Sequence, residues 1–455
     1  MRSNPATDRM KVLVISQSYP PYPQVGGLRA KKVAEMFRDR GHFVTVITER
    51  LESEHQEVRL SEGRLLVRTV HAGLPYRLRL VALRNRLQGR TVVLSSWDGS
   101  AGGASDSNSD DSPSRMHRWM RTTKRLITDL LRFPDDQQQF VAPAFRMGRQ
   151  VARNTGVDLV YTTAPAFSAH FVGLLLQRKG VRWVAEFRDP WTAERPAHET
   201  KVPYLLRLNR WLERQCLVRA DVVVAVTESV GRQLAAKLPV GQKSKVIVAM
   251  NGIDLLQPPR TPASKLPPYR IAYTGSFYHD RDPSPFLHAL AGWMHDKSLG
   301  AEDVQVDFAG RCRHYSNVSV ERIVQDLNLS DIVRFHDWLS PTAVQEVLNR
   351  ADLFLLLARS QPAQVPNKLF EYLGSRTPML AVVDKNGESA TILNAVGGQF
   401  VLATPEGEPV TAGMLREALE LAYSQRSLPV TTDESALEKL LTQRQFSHLA
   451  SALGV

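Results

Sequence analysis

Short apolar runs alternate with stretches of helical period along most of the chain. The first run, "KVLVISQ" at 11–17, is continuous and rich in β-branched residues, the pattern of a strand covered on both faces. It passes through the loop "SYPPYPQVGGLRA" into a helix over 30–40, which Gly41 ends, and then into a second strand, "HFVTVITER". Strand, glycine-bearing loop, helix and strand in so short a span form a βαβ unit and imply a parallel sheet. Buried-strand patterns recur at 158–164, 182–189, 220–227 and 244–250, with helices over 168–178 and 204–219 between them.

The proline-rich stretch "LLQPPRTPASKLPP" at 255–268 interrupts this series and reads as a linker. The alternation then restarts. Strands are predicted from "YRIAYTGSF", "VQVDFAGR", "IVRFHDWL", "DLFLLLA" and "PMLAVV", with helices over 284–293, 319–327, 341–350 and 368–374. The expected architecture is α/β, with two doubly wound Rossmann-like domains facing across a cleft: 1–256, 257–435, and a final segment 436–455 returning to the first domain. At 455 residues the length suits two or three domains.

Two kinds of segment break the pattern. The polar stretch "SSWDGSAGGASDSNSDDSPS", within an insert at about 92–114, cannot bury a face and is expected to be disordered. Around it, "YRLRLVALRNRLQGR" and "RMHRWMRTTKRLITDLLRF" are cationic with apolar residues at helical spacing. Such helices suit an anionic membrane surface, and equally a core-facing stripe with a charged outer face.

Composition narrows the partners. Lysine and arginine exceed aspartate and glutamate, for a formal net charge of +12, which favours anionic partners. No nucleic-acid module accompanies the charge, so phosphorylated small molecules or an acidic lipid face are expected instead. No apolar run reaches the length of a membrane span, and the first apolar run reads as a strand rather than a signal peptide. Cys216 and Cys312 stand far apart without metal-ligand spacing, which fits a reducing, cytoplasmic setting.

In parallel sheets, ligands bind beyond the carboxyl ends of the strands, so residues there are the site candidates. Gly26 and Gly27 close the first loop before a helix whose amides suit an anion, although a plain turn explains them as well; the spacing is not that of a dinucleotide fingerprint. Arg188 and Asp189 end "VAEFRD", as a structural ion pair or as groups facing a substrate. Ser276 and Arg281 follow one strand of the second half, and Arg311 follows the next. Two such guanidinium groups suit a diphosphate. In "VPNKLFEYLGSRTP", Pro366 and Asn367 open a helix, and Lys368 adds a point charge at its start. Glu371 can accept two hydroxyl donors, such as the 2′- and 3′-hydroxyls of a ribose, or can simply answer the helix dipole.

Several stretches follow one another in the order of a known family. They are "PPYPQVGGLRAKKVAEMFRDRGHFVTVIT", "YTTAPAFSAHFVGLLLQRKGVRWVAEFRDPW", "VVVAVTESV", "NGID", "YTGSFY", "FAGR" and "VPNKLFEYLGSRTPMLAV". In these the chain resembles the GT-B-fold glycosyltransferases of family 4, and within them the WbuB-type branch of surface polysaccharide and glycan assembly. The resemblance implies retaining transfer of a sugar from a nucleotide-sugar donor to a glycan, lipid-linked or small-molecule acceptor. It implies neither an obligatory metal nor a cofactor. By position, Glu371 matches the family's ribose-holding glutamate, Arg281 its diphosphate-binding lysine, and Arg311 a further donor contact. Gly26 and Gly27 match the glycine loop beside the donor phosphates. Arg188 or Asp189 falls near a histidine that faces the transferred sugar, and His170 in "SAH" is a further candidate in the catalytic group. Asn251 and Gly252 belong to a structural turn. Ala363 stands where the wider family carries another glutamate, so backbone groups of 361–365 would have to meet the sugar. A cytoplasmic protein, peripheral on the inner face of the membrane, follows from this reading. The alternatives are a non-catalytic nucleotide-sugar-binding scaffold, fed by Ala363, and another GT-B enzyme such as a sugar-nucleotide epimerase.

Overall fold

The computed structural model describes residues 9–21, 25–50, 63–73, 130, 133–178, 180–192, 203–258, 267–278 and 281–455. The polar insert, the two cationic stretches around it and the centre of the proline-rich linker lie outside these residues, apart from Leu130 and Phe133 at the end of the second cationic stretch. The chain divides into two compact units, 1–225 with 233–247 and 453–455, and 226–232 with 248–452.

The first unit runs β1 (Lys11–Ile15), α1 (Val25–Asp39), β2 (Phe43–Glu49), β3 (Leu65–Val70), α2 (Val141–Thr155), β4 (Leu159–Ala164) and α3 (Ser168–Leu176). It continues with β5 (Arg182–Phe187), α4 (Pro203–Arg219), β6 (Val222–Ala225), α5 (Glu228–Ala236) and β7 (Val246–Val248). The seven strands are ordered β3-β2-β1-β4-β5-β6-β7. Every pairing from β3 to β6 is parallel, for example Val12 with Val44 and Thr162 with Ala185. The order reverses at β1, so the neighbouring tips of β1 and β4 form a topological switch point.

The second unit runs β8 (Tyr269–Thr274), α6 (Ser284–Lys297), β9 (Val304–Ala309), a short hairpin of β10 (His314–Tyr315) and β11 (Val318–Ser319), α7 (Val320–Asp326) and β12 (Val333–His336). Then follow α8 (Pro341–Arg350), β13 (Leu353–Ala358), α9 (Asn367–Ser375), β14 (Met379–Asp384), α10 (Glu388–Val396) and β15 (Phe400–Thr404). The last helices are α11 (Ala412–Ser424), α12 (Glu434–Lys439) and α13 (Thr442–Leu453). Its six-stranded sheet, β12-β9-β8-β13-β14-β15, is parallel throughout. Here the switch point falls between β8 and β13.

Continuous apolar strands make sense once both faces are covered. Along β13, Leu353, Leu355 and Leu357 pack into one core with the α6 and α11 residues Phe286, Trp293 and Leu419. Phe354, Leu356 and Ala358 point the other way, into a core with Leu369, Tyr372 and Leu373 of α9. The two-residue period of a strand thus feeds two cores, and a one-residue slip would exchange them.

One boundary differs from expectation in a way that bears on the site. Gly26 and Gly27 lie inside the first turn of α1, which begins at Val25, and not in the loop before a helix at 30. Glycine is a weak helix former, so propensity places the start too late. Packing explains the residues instead. A Cβ at Gly26 would meet the Arg188 guanidinium at 2.6 Å, and one at Gly27 would come within 3.1 Å of the Tyr19 backbone. The turn at Gly252 is tight for a similar reason, since a Cβ there would lie 2.6 Å from the Leu440 carbonyl oxygen.

Candidate functional site

The tips of β8 and β9 carry the second unit's candidate residues. Beyond them the chain continues in two loops zipped side by side: the Gly275 amide donates to the Ala309 carbonyl at 2.8 Å, and the Phe277 amide to the Arg311 carbonyl at 3.1 Å. Both loops need glycine at the turn. Gly275 and Gly310 have φ of +112° and +117°, and a Cβ on Gly310 would lie 2.3 Å from the Gly275 oxygen. The Cys312 thiol donates to that same oxygen at 3.2 Å, and burial pushes the thiol up to about 12. It stays protonated.

Helix α9 starts against these loops. Its N-cap is Pro366, which offers no side-chain cap to the first-turn amides. Two pairs of residues one turn apart share out its faces. Lys368 and Tyr372 turn inward, where the Tyr372 hydroxyl accepts the Thr274 amide at 3.0 Å. Asn367 and Glu371 form the adjacent, outer pair, joined by a bond from Asn367 Nδ2 to Glu371 Oε1 at 2.7 Å; Glu371 itself is exposed.

Lys368 is the unusual group. The residue as a whole is half-buried, but its Nζ is sealed from solvent and has no hydrogen-bond partner among the described residues. It sits 3.7 Å from the centroid of the Tyr273 ring and would lie 3.0 Å from a Cβ on Gly275. Burial holds its pKa well below the ordinary lysine value, and the neighbouring Arg281 cation pushes it further down, against weaker support from Glu371. Arg281 is itself only 7% exposed; its guanidinium stacks 4.2 Å from the Tyr278 ring centroid, and its Nε has no hydrogen-bond partner among the described residues. Two neighbouring cations, held by aromatic rings and, among the described residues, without a carboxylate bonded to the inner one, make a costly arrangement in the absence of an anion. Ring quadrupoles offset part of that cost. Together with the open α9 amides they form a cradle for a multiply charged anion. Arg311 stands exposed at the β9 tip, its guanidinium 5.4 Å from the Trp338 ring, and Ser276 lies half-buried in the β8 loop.

The segment in front of α9 is pinned by its backbone. Asp384 accepts the amides of Ser360 and Gln361 at 3.0 and 2.8 Å, and the Pro362 carbonyl accepts the Glu388 amide at 2.8 Å. Ala363 therefore belongs to a shaped loop, with its own carbonyl accepting the Thr227 hydroxyl at 2.7 Å.

The first unit's candidates gather around the β4 and β5 tips. Arg188 spends its guanidinium on three carbonyls: Ala164 at 3.0 Å, Gly26 at 2.7 Å and Pro165 at 2.5 Å. Burial lowers its pKa, while Glu186 and Asp189 support its charge. The structure thus joins Gly26 to Arg188, with Asp189 half-buried beside them. His170 is placed differently. It is fully buried, 4.3 Å from Phe187 between ring centroids, with Nδ1 bonded to the Thr162 hydroxyl at 2.8 Å. Burial takes its pKa down to about 3, so the ring is neutral at physiological pH.

Sequence reasoning missed three features. Glu186, on β5, is fully buried and takes Arg29 through Nε at 3.0 Å and a terminal nitrogen at 2.8 Å, with Tyr161 and Thr163 hydroxyls at 2.8 and 2.7 Å. Burial alone would raise its pKa, but Arg29 and these bonds outweigh it and the net direction is down. A lone glutamate inside an apolar strand was the available signal. Tyr278 and Trp338 are exposed rings beneath the two site arginines; Tyr278 stands just past one predicted strand and Trp338 near the end of another, and those places could have marked them.

Comparison with known proteins bears on the fold. Residues 102–256 match the sequence model of the domain described as Glycosyltransferase Family 4. No curated protein matches the chain. Among solved structures, the chain is similar to sucrose-phosphate synthase from Thermosynechococcus elongatus, with TM-score 0.60 and 14% identity over 98% of this chain and 97% of the other. It is also similar to WaaG, a glycosyltransferase involved in lipopolysaccharide biosynthesis, with TM-score 0.57 and 14% identity over 98% and 100%. The Anabaena protein HepE, solved in complex with UDP-glucose, gives TM-score 0.56 and 15% identity over the same shares. At these identities the likeness concerns the fold, which is of the GT-B class with two Rossmann-like sheets.

Proposed function

We propose that the chain is a retaining glycosyltransferase that uses a nucleoside-diphosphate sugar, with a glycan, lipid-linked or small-molecule acceptor in surface polysaccharide or glycoconjugate synthesis. The observation that carries this reading is the pair of poorly compensated cations, Lys368 and Arg281, at the β8 tip and the start of α9. Breaking a sugar–phosphate bond builds negative charge on the departing diphosphate, and preorganised cations and amides aimed at it lower the barrier. In this reading Arg281, Arg311, Lys368 and the α9 amides take that charge without a metal. Ser276 and Asn367 border the same donor site, and Glu371 takes the ribose hydroxyls. Trp338 offers a ring for the base. Gly26, Arg188 and Asp189 shape the β4–β5 tips of the first unit for the sugar or acceptor, and His170 acts only by packing behind them. The WbuB-type branch, the retained configuration and a peripheral place on the inner membrane face belong to the same proposal. Among the described residues no helix is long and apolar enough to cross a membrane.

A thermal-shift screen against UDP-, GDP-, ADP- and dTDP-sugars tests it, because a ligand that binds the folded state raises apparent stability. One donor should stand out, and Glu371→Ala should weaken its binding by about 1–3 kcal/mol through lost charge-assisted hydrogen bonds. An unchanged dissociation constant would remove Glu371 from the site. Ala363 keeps one other reading in play, a protein that binds the donor without transferring it. Donor binding with neither transfer nor hydrolysis across acceptors would favour that scaffold.

Binding should also move protons, and the sign follows from Lys368. Its pKa is depressed in the free protein, and a diphosphate stabilises the charged amine, so the pKa rises on binding. Protons are taken up at any pH between the two values, and affinity falls as pH climbs through that window. Titration calorimetry in buffers of differing ionisation enthalpy reads the uptake directly. Lys368→Met should abolish it.

A further inference from the structure

One layer of the first unit has a surface that the donor site does not use. Helices α2, α3 and α4 pack side by side on one face of the sheet, as right-handed crossovers require. Their outer side is one-signed. Helix α2 exposes Arg146, Arg149 and Arg153, and α4 exposes Arg207, Arg210 and Arg214. None of these six has an ion-pair partner among the described residues. Neither α2 nor α3 contains an acidic residue, and the sole acid of α4, Glu213, is buried and bonded to Lys237 at 2.8 Å. Along α4, Tyr204, Leu208 and Trp211 are 48%, 40% and 56% exposed. Steps of four and three place them on one stripe, and Arg207, Arg210 and Arg214 repeat by three and four on the adjoining one.

We propose that this layer docks on an anionic lipid surface, with the α4 stripe seated at headgroup depth. Charge complementarity carries the argument. Six guanidinium groups facing solvent, none ion-paired among the described residues and without one exposed carboxylate on the same helices, repel each other until a dense anionic surface meets them. The stripe then selects lipid among polyanions. Tyrosine and tryptophan on either side of a leucine, flanked by arginine, are the residues of an interfacial helix. Leu208 at the centre of the stripe gives a nucleic-acid base nothing to stack on. The surface is built from α2 and α4, whose residues lie outside the sequence stretches 76–90 and 115–133. It is also independent of the donor reading, since no donor-site residue of the second unit lies on it.

The test is flotation of the full chain with phosphatidylglycerol vesicles and with phosphatidylcholine vesicles. The wild type should float with the first, progressively less as salt is raised, and remain behind with the second. R207E/R210E/R214E should lower its partition by about tenfold or more, given roughly 1 kcal/mol per basic residue near the surface. L208A/W211A should lower it while leaving the salt dependence in place. All five positions are exposed, so both variants should unfold at the wild-type temperature, which shows that the folded protein was compared. Equal partition of wild type and both variants overturns the proposal. So does binding to heparin or RNA with none to phosphatidylglycerol vesicles, which would reassign the layer to a soluble polyanion.

Discussion

Lys368→Met should lower sugar transfer by about 100- to 1,000-fold while raising the thermal stability of the donor-free protein. The opposite signs come from one cause. In the free protein the Nζ faces the Tyr273 ring, with Arg281 nearby and no hydrogen-bond partner among the described residues, so its charge is costly. Below its depressed pKa that cost is fully present, and it fades as pH rises toward the ordinary lysine range. Methionine fills a similar volume, favours helix and carries no charge. The donor's diphosphate turns the same cost into favourable charge–charge interaction, which the variant loses. Differential scanning fluorimetry and initial rates on one protein preparation decide the matter. If both stability and activity drop, Lys368 is a packing element, and the cradle loses its centre.

The second large effect lies in the other unit and concerns folding. Glu186→Ala should destabilise it by about 3–5 kcal/mol, because Arg29, only 3% exposed, would lose the carboxylate that answers its buried charge. The Tyr161 and Thr163 hydroxyls would lose their acceptor as well. R29M/E186L should recover most of the loss, since a buried ion pair replaced by apolar groups of similar size is often neutral. Urea unfolding of wild type, single and double variants forms the comparison. A double variant as unstable as Glu186→Ala would show that the carboxylate serves through Tyr161 and Thr163 rather than through Arg29.

The βαβ series was legible because parallel strands covered on both faces are written as continuous apolar runs. All eleven strands expected from the sequence appear, and α8 starts and ends as expected. The elements passed over carry weaker marks. In β3 the apolar run is interrupted by Arg68 and Thr69, and α2 carries arginine on a strongly amphipathic frame. At the site, Lys368, Arg281 and Glu371 could be named from strand-end logic and from resemblance. Their states could not. That Lys368 is sealed without a hydrogen-bond acceptor among the described residues, that Arg188 is consumed by three carbonyls and that His170 is neutral in a core are facts of packing between segments distant in sequence. Gly26 shows the limit most clearly: its propensity argued against a helix, and the guanidinium that demands a glycine there comes from a residue more than 150 positions away.

The crowding of Gly275 and Gly310 sets where this protein can change. Any side chain at Gly310 runs into the neighbouring loop, and one at Gly275 presses on the lysine amine. The charged floor is thereby frozen by geometry, whereas Glu371 and Trp338 face outward and stand apart from Lys368, Arg281 and the rings that hold them. A lineage or a laboratory seeking a new donor preference would succeed by rewriting those outward positions and leaving the floor as it is.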